Sequence, residues 1–434
     1  LVQKFLFRMA LRDRYRDIRY GFEPNFWVAN TLELFERLAF YGANAVMVVF
    51  IAEKVGLQDE ASTLAGIFSG LIFFLPVLAG VFVDRYGFKK SLTACFAIFT
   101  FGYFLIGLAG MDAGKGIVHA IGPRAYVIIV LIITAIGGSL IKPCIVGTVD
   151  RTSKPQTKSL GFAIYYTLVN FGGAIGPMLA LPVRQKFGIE FVLIVSSATS
   201  LLLLIGTRLF FREPPAPAGG VSTRTFGQVF RDMLMVFTNF RFISFLVIFS
   251  GFWIMFWQIF FLLPLYTLEV LRYEHFEILE TIDAWSIILL TVPITLLTRK
   301  FKPIVSITGG LILASLSWVV VGAGGTVTFT VLGISLFALG ESLQSPRFYE
   351  YVASLAPPEQ TGTFMGFAFL PVAIGAFVGG FLADVLRTTY MASNPKLMWF
   401  LVAAVGAVAV TLMIVFNMFL ASRRSAVVVQ TQKP

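Results

Sequence analysis

Apolar residues fall along the chain in twelve long runs with short polar interruptions. Approximate limits are 29–53, 61–83, 91–110, 125–149, 160–182, 189–211, 241–267, 282–298, 303–322, 327–350, 362–386 and 397–421. A helix needs about 20 apolar residues to cross a bilayer, and these runs are of that order. The strict alternation of a membrane β-barrel is absent. The pattern predicts an all-α membrane protein with twelve transmembrane helices. The longest connection, REPPAPAGGVSTRTFGQVFRDM, opens with Pro and Gly, a linker signal. It continues into a stretch with Phe226, Val229, Phe230 and Met233 on one side, which predicts a surface helix. The expected division is a segment 1–28, a six-helix half 29–211, a linker 212–240, a second half 241–421 and a tail 422–434.

Composition sharpens this picture. Of 434 residues, 57% are hydrophobic and 13% charged, against about 25% charged in soluble domains. Mean hydropathy is +0.84. A soluble enzyme, a nucleic-acid binder and a disordered chain are excluded. The net charge of +11 has a topological explanation. Arg37, Lys142 and Arg347 lie inside runs. Of the other Lys and Arg among the 34, eight fall in the loops on one side and 23 on the side of the linker and both termini. By the positive-inside rule, that side is the cytoplasm. The first residues, LVQKFLFRMALRDRYRDIRYGF, are too interrupted by charge for a signal peptide and read as a basic amphipathic segment on the membrane surface. Cys95 and Cys144 sit in apolar runs and read as buried thiols, with no metal pattern.

The loop after the second run reads GVFVDRYGFKK, residues 80–90. It resembles the G-x-x-x-D-R-x-G-R-K signature of the major facilitator superfamily, with Phe88 in place of Arg. That resemblance implies the major facilitator fold, two six-helix halves rocking around a midplane site. It also implies that Asp84 sits against the N-terminus of helix eleven, where a helix dipole favours an anion. Asp84, Arg85 and Lys89 are thus expected gate residues.

Ionisable residues inside spans are functional candidates by default. Glu33, Glu36, Arg37, Tyr41 and Asn44 fall at i, i+3, i+4, i+8 and i+11, one face of helix one. Glu36 and Lys142 each lie about seven residues from the linker-side end of their span, roughly 10 Å deep. The matched depth predicts a Glu36–Lys142 pair, either structural or proton-sensitive. Asp283, near the outer end of run eight, is either a cation-binding group or a helix N-cap. Arg347 and Glu350 are one turn apart and predict a local pair at an inner gate. Asp384, at the outer end of run eleven, reads as solvated. Gly172 to Pro177 resembles a proton/drug antiporter motif, and its small residues equally suit close helix packing.

The segment ELFERLAFYG, residues 33–42, resembles the E-x-x-E-R-F-x-Y-Y-G motif of the proton-coupled oligopeptide transporters. Lys142-Pro143, the run FAIYYTLVNFGG at 162–173, Gly340-Glu341, Ser345-Pro346 and Ala356-Pro357 resemble further motifs of that family in the same order. The resemblance implies proton coupling through Glu33, Glu36, Arg37 and Lys142, and a substrate amino group received by Glu341. The residues expected to line the substrate cavity are Phe40, Tyr41, Asn44, Tyr165, Asn170, Trp257, Gln258, Asp283 and Glu341. Two departures occur together. Asn44 replaces the family's helix-one Arg, and Trp257 replaces its helix-seven Glu, which removes an outer-gate ion pair. Trp253 and Trp257 are the expected substitutes at that gate.

The sequence therefore predicts a monomeric secondary transporter, not an enzyme, in a bacterial inner membrane with both termini cytoplasmic. It uses protons as coupling ion, with no cofactor, metal or nucleic acid. The expected substrate is a small molecule with an amine or zwitterionic character, a di- or tripeptide by default. Two rivals are a proton-driven antiporter exporting drug-like cations or metabolites, and a receptor or channel on a transporter scaffold.

Overall fold

The computed structural model describes residues 18, 20–215, 225–298, 300–356 and 361–431. Most of the expected N-terminal amphipathic segment, the Pro/Gly-rich start of the linker at 216–224, Arg299 and Pro357 lie outside the described residues. Inside a bilayer every backbone N–H and C=O must be satisfied within its own segment, so the apolar runs become helices. No strand occurs among the described residues; an isolated bridge pairs Phe22 with Ser153.

Among the described residues eleven helices are long and apolar enough to span, and a bent pair supplies a twelfth. They are α1 (Pro24–Lys54), α2 (Gln58–Phe74 and Pro76–Tyr86), α3 (Phe88–Leu108), α4 (Pro123–Thr152), α5 (Lys158–Phe187), α6 (Ile189–Phe210), α7 (Phe240–Glu269), α8 (Phe276–Thr298), α9 (Pro303–Gly324), α10 (Val327–Leu355), α11 (Phe364–Met391) and α12 (Pro395–Phe419). The linker supplies the helix Phe226–Thr238, closed at its start by a capping box between Thr225 and Gln228. Such a box satisfies two orphan donors at once.

Three spans are interrupted next to a proline that removes a donor, α7 at Leu262 before Pro264 among them. The halves of α2 meet at 48° before Pro76. In α4 the turn at Ser139–Leu140 precedes Lys142-Pro143, since Pro143 has no N–H for the Ser139 carbonyl. Gly87 ends α2 at φ +82°, a conformation that costs a side-chain-bearing residue. Glu213, at the end of the first half, then accepts from the Phe88 and Lys89 N–H groups at 2.7 and 2.8 Å. It caps α3 and ties the linker to this loop.

Small residues set two close helix approaches that position the site. A Cβ on Gly176 of α5 would stand 2.8 Å from the Leu38 carbonyl oxygen of α1, and one on Gly172 would stand 2.4 Å from Arg37 Cβ. The Gly172–Pro177 segment therefore packs α5 onto α1. A Cβ on Gly380 of α11 would meet the Ser62 carbonyl oxygen of α2 at 2.4 Å, and one on Gly66 would meet the Ala376 carbonyl oxygen at 2.6 Å. This second approach joins the two halves at the end of the bundle away from the linker, called the far end below.

Candidate functional site

A cavity of about 170 Å³ lies between the halves, lined by residues of α1, α2, α4, α5, α7, α8, α10 and α11. Its linker-side residues Tyr166 and Tyr349 are 48% and 40% exposed, whereas Trp257, Glu280 and Asp283 are 3%, 3% and 6% exposed. The cavity is shut at the far end and reaches toward the linker end.

Three polar contacts shut it. Asp384 of α11 accepts from the first free N–H groups of α2, Ser62 at 3.0 Å and Thr63 at 2.7 Å. Arg184 of α5 grips the Glu277 carboxylate of α8 and the Glu274 carbonyl. Arg387 binds Glu269 at 2.8 Å and reaches across to the Gln58 carbonyl at 2.9 Å. Asp384 is thus buried and pairs across the halves, contrary to its expected solvation. It meets a helix N-terminus, where orphan donors and the dipole favour an anion.

The helix-one cluster is fully buried and self-contained. Arg37 donates to Glu36 Oε1 at 2.7 Å and lies 3.5 Å from Glu33 Oε1. Its guanidinium covers the Phe40 ring at 4.8 Å. Glu36 therefore pairs with its chain neighbour and not with Lys142. Matched depth did not include rotation about the helix axes. Lys142 instead stands 4.9 Å from the centre of the Phe73 ring of α2 and 4.9 Å from that of Phe369 of α11. Its ammonium has one aromatic neighbour from each half and, among the described residues, no ion pair, and it faces the cavity.

The opposite wall is acidic. Glu280 and Asp283 of α8 and Glu341 of α10 line the cavity. Both Glu280 oxygens, Asp283 Oδ1 and Glu341 Oε2 are buried without a hydrogen-bond partner. No ion pair reaches these three carboxylates among the described residues. Helix α8 begins at Phe276, six residues before the expected run. Asp283 is therefore two turns inside it and is not an N-cap. Glu277 and Glu280 escaped sequence reading because charges at a span's end look like a loop. Spacing at i, i+3 and i+6 from 277 to 283 was the available signal.

The remaining expected residues divide. Phe40, Tyr41, Asn44, Asn170, Trp253 and Trp257 line the cavity. Trp257 also donates to the Val372 carbonyl at 3.1 Å. Trp253 belongs to the cavity wall, while the far end is held by the contacts above. Gln258 does not reach the cavity, because its amide donates to Ile254 and Gly379 carbonyls at 2.9 and 3.1 Å and clamps α7 to α11. Tyr165 turns away and packs on the core, and Tyr166 takes its expected place. One residue is about 100° around a helix, and Tyr166 is the tyrosine four before Asn170.

At the linker end Asp84 shares a second cavity, of about 260 Å³, with Gly366 and Phe367 of α11 and with Val229, Asp232 and Met233 of the linker helix. Arg85 covers the Tyr86 ring at 5.6 Å. Arg347 bonds Glu350 at 2.6 Å and the Thr298 carbonyl at the end of α8 at 3.0 Å. Cys95 and Cys144 are buried free thiols. Among the described residues no three His, Cys, Asp or Glu side chains converge to hold a metal ion.

The model of the Major Facilitator Superfamily matches residues 32–380. The multidrug resistance protein MdtH of Photorhabdus laumondii is 26% identical over 383 residues, covering 86% of this chain and 89% of its own. MdtH of Escherichia coli O1:K1 / APEC is 26% identical over 375 residues, covering 83% and 87%. Among solved structures, a POT family transporter in complex with 5-aminolevulinic acid has a TM-score of 0.75 at 17% identity, over 92% of this chain and 96% of that one. The POT family transporter PepTSo has a TM-score of 0.74 at 17% identity, over 95% and 99%. The chain shares their fold.

Proposed function

The chain belongs to the Major Facilitator Superfamily, a family of carriers, and from that premise we propose that it is a proton-coupled symporter of small zwitterionic or amine-bearing solutes, di- and tripeptides first. The observation that carries this reading is the polarity of the cavity. Lys142 stands on the wall of the first half, and Glu280, Asp283 and Glu341 stand on the wall of the second, with Tyr41, Tyr166 and Asn170 between. A zwitterion spans such a site with its carboxylate toward Lys142 and its ammonium toward Glu341 and Asp283. Each contact gives an unpaired polar group on the cavity wall an oppositely charged partner, which is favourable in a low-dielectric interior.

Transport proceeds by alternating access, the halves rocking about the midplane. The linker end faces the cytoplasm of a bacterial cell, so the described state has its cavity turned inward. The protein acts as a monomer, with protons as coupling ion and no cofactor. Protonation at Glu36 releases Arg37 from its short pair and leaves Glu33 as its remaining partner, which makes the helix-one cluster the first coupling site.

A second reading rests on the same acidic wall. With its aromatic surround of Trp253, Phe256 and Trp257, that wall also suits an organic cation. The similarity to MdtH supports an exporter exchanging such a cation for protons. Competition in a counterflow assay separates the two. Under the symport reading, acetylating a dipeptide's amine or amidating its carboxylate weakens competition by about tenfold or more, the loss of one charged hydrogen bond. Competition by organic cations and none by peptides would overturn the symport reading in favour of the exporter.

A further inference from the structure

We propose that Glu280 is a second proton-binding group of this carrier, set in the C-terminal half, and that its charge governs the Arg184–Glu277 seal at the far end. The inference rests on the coupled-carrier reading for its physiological role, but its physical content stands on the geometry of α8.

Glu277, Glu280 and Asp283 follow at three-residue steps on α8. The first is locked into the seal with Arg184, while Glu280 and Asp283 line the cavity. Glu280 is therefore the one of the three that both faces the cavity and lies a single turn from the seal, a rise of about 4.5 Å. It is 3% exposed, and both its oxygens lack any partner. An unpaired anion buried in this way is costly. A proton removes the cost, and the cavity gives that proton a wet route to one side of the membrane. A metal ion is not the ligand that fits, since no three ligating side chains converge there among the described residues.

Charged and titratable groups stand on the elements packed against α8, and those of α7 are Tyr266 and Glu269, the latter engaged by Arg387. Glu277 and Asp283 lie on its own helix. Arg184 comes from α5, with Gln185 beside it contacting His275 at 3.2 Å. Glu341 comes from α10 and Tyr41 from α1, both on the cavity wall. Two cations stand near: Lys142 lines the same cavity, and Arg184, at the seal one turn away, is already engaged by Glu277 and the Glu274 carbonyl. A charged Glu280 draws Arg184 from Glu277 and repels the Glu277 carboxylate.

The cycle that results is simple. With the far end open, a proton from far-side water adds to a Glu280 oxygen. Neutral Glu280 leaves the Arg184–Glu277 pair undisturbed, so the far end closes. With the cavity turned to the linker end, the proton leaves to that water. Anionic Glu280 then weakens the seal and the far end reopens. One proton is gained and one is lost, and no other bond changes.

The test reads the seal directly, without substrate. Spin labels are placed at Ala120, in the short helix Lys115–Ile121 between α3 and α4, and at Ala392, in the turn between α11 and α12, both exposed at the far end, in protein whose Cys95 and Cys144 are replaced by Ser. Their distance is followed against pH in lipid nanodiscs. The wild-type seal is expected to open as pH rises. The ratio of open to closed changes by about tenfold or more, since like charges one turn apart lie about 5–6 Å from each other. Glu280→Gln is expected to stay closed at every pH and Glu280→Asp to respond again. A seal indifferent to pH in the wild type, or an unchanged response in Glu280→Gln, overturns the proposal. A monodisperse elution profile and a wild-type-like thermal unfolding midpoint in Glu280→Gln show that the variant is folded. Substrate-driven proton flux in the wild type is measured separately. Its failure would sink the coupled-carrier reading while leaving the seal response to decide the role of Glu280.

Discussion

Replacing Asp384 by Asn perturbs a contact that exists only while the far end is closed. Its two oxygens accept from Ser62 and Thr63 N–H at 3.0 and 2.7 Å, across the boundary between the halves. A hydrogen bond to a charged group is worth about 1.5–3 kcal/mol, and the helix dipole adds about 0.3–1 kcal/mol for an anion. Asparagine keeps one acceptor and loses the charge, the second acceptor and the dipole term. The closed state then loses about 2–3 kcal/mol, a shift of about 30- to 150-fold toward the far-open state. The residue is 5% exposed and near-isosteric with its replacement, so packing at Gly380 is preserved. Distance distributions between labels at positions 120 and 392 report the ratio of the two populations. An unchanged ratio in folded Asp384→Asn protein would refute the idea that this cap holds the far end shut.

Three further outcomes follow from the same geometry. Lys142→Met should raise the KM for a zwitterionic dipeptide by about tenfold, one lost charged contact, and leave the affinity for an amine without a carboxylate nearly unchanged, as read by counterflow. Gly176→Leu places a side chain against the Leu38 carbonyl and Tyr41, so thermal unfolding followed by tryptophan fluorescence should show a loss of about 1–3 kcal/mol or failure to fold. Glu36→Gln should abolish gradient-driven uptake and spare part of the counterflow, because Arg37 then keeps Glu33 as its anion. Full accumulation by that variant would remove Glu36 from the coupling site.

Much of the architecture was legible because each apolar run must form its own backbone hydrogen bonds, so hydropathy alone locates the spans. The bend of α2 was not, since residues 61–83 are apolar on both sides of Pro76 and hydropathy carries no angle. Depth could be read from position in a run, which placed Glu36 and Lys142 on one level. Rotation could not, and it sent Glu36 to Arg37 and Lys142 to the rings of Phe73 and Phe369. Tyr165 and Tyr166 differ by the same variable. Asp384 shows a third limit. Its partners lie 322 and 321 residues earlier in the chain, and a carboxylate at a span's end reads as solvated until the helix it caps is in place. Glu277 and Glu280 were lost for the converse reason. Charges shortened the apolar run, although the helix carrying them continues because α5 supplies Arg184.

The account stands most directly on substrate-driven proton flux in proteoliposomes. A pH dye is trapped inside, an inside-negative potential is imposed, and a mixture of di- and tripeptides is added outside. The account predicts acidification of the lumen that needs the peptides and is lost in Glu36→Gln. Absence of acidification with folded, inserted protein, together with lumenal alkalinisation on adding an organic cation, would contradict it and establish the exporter.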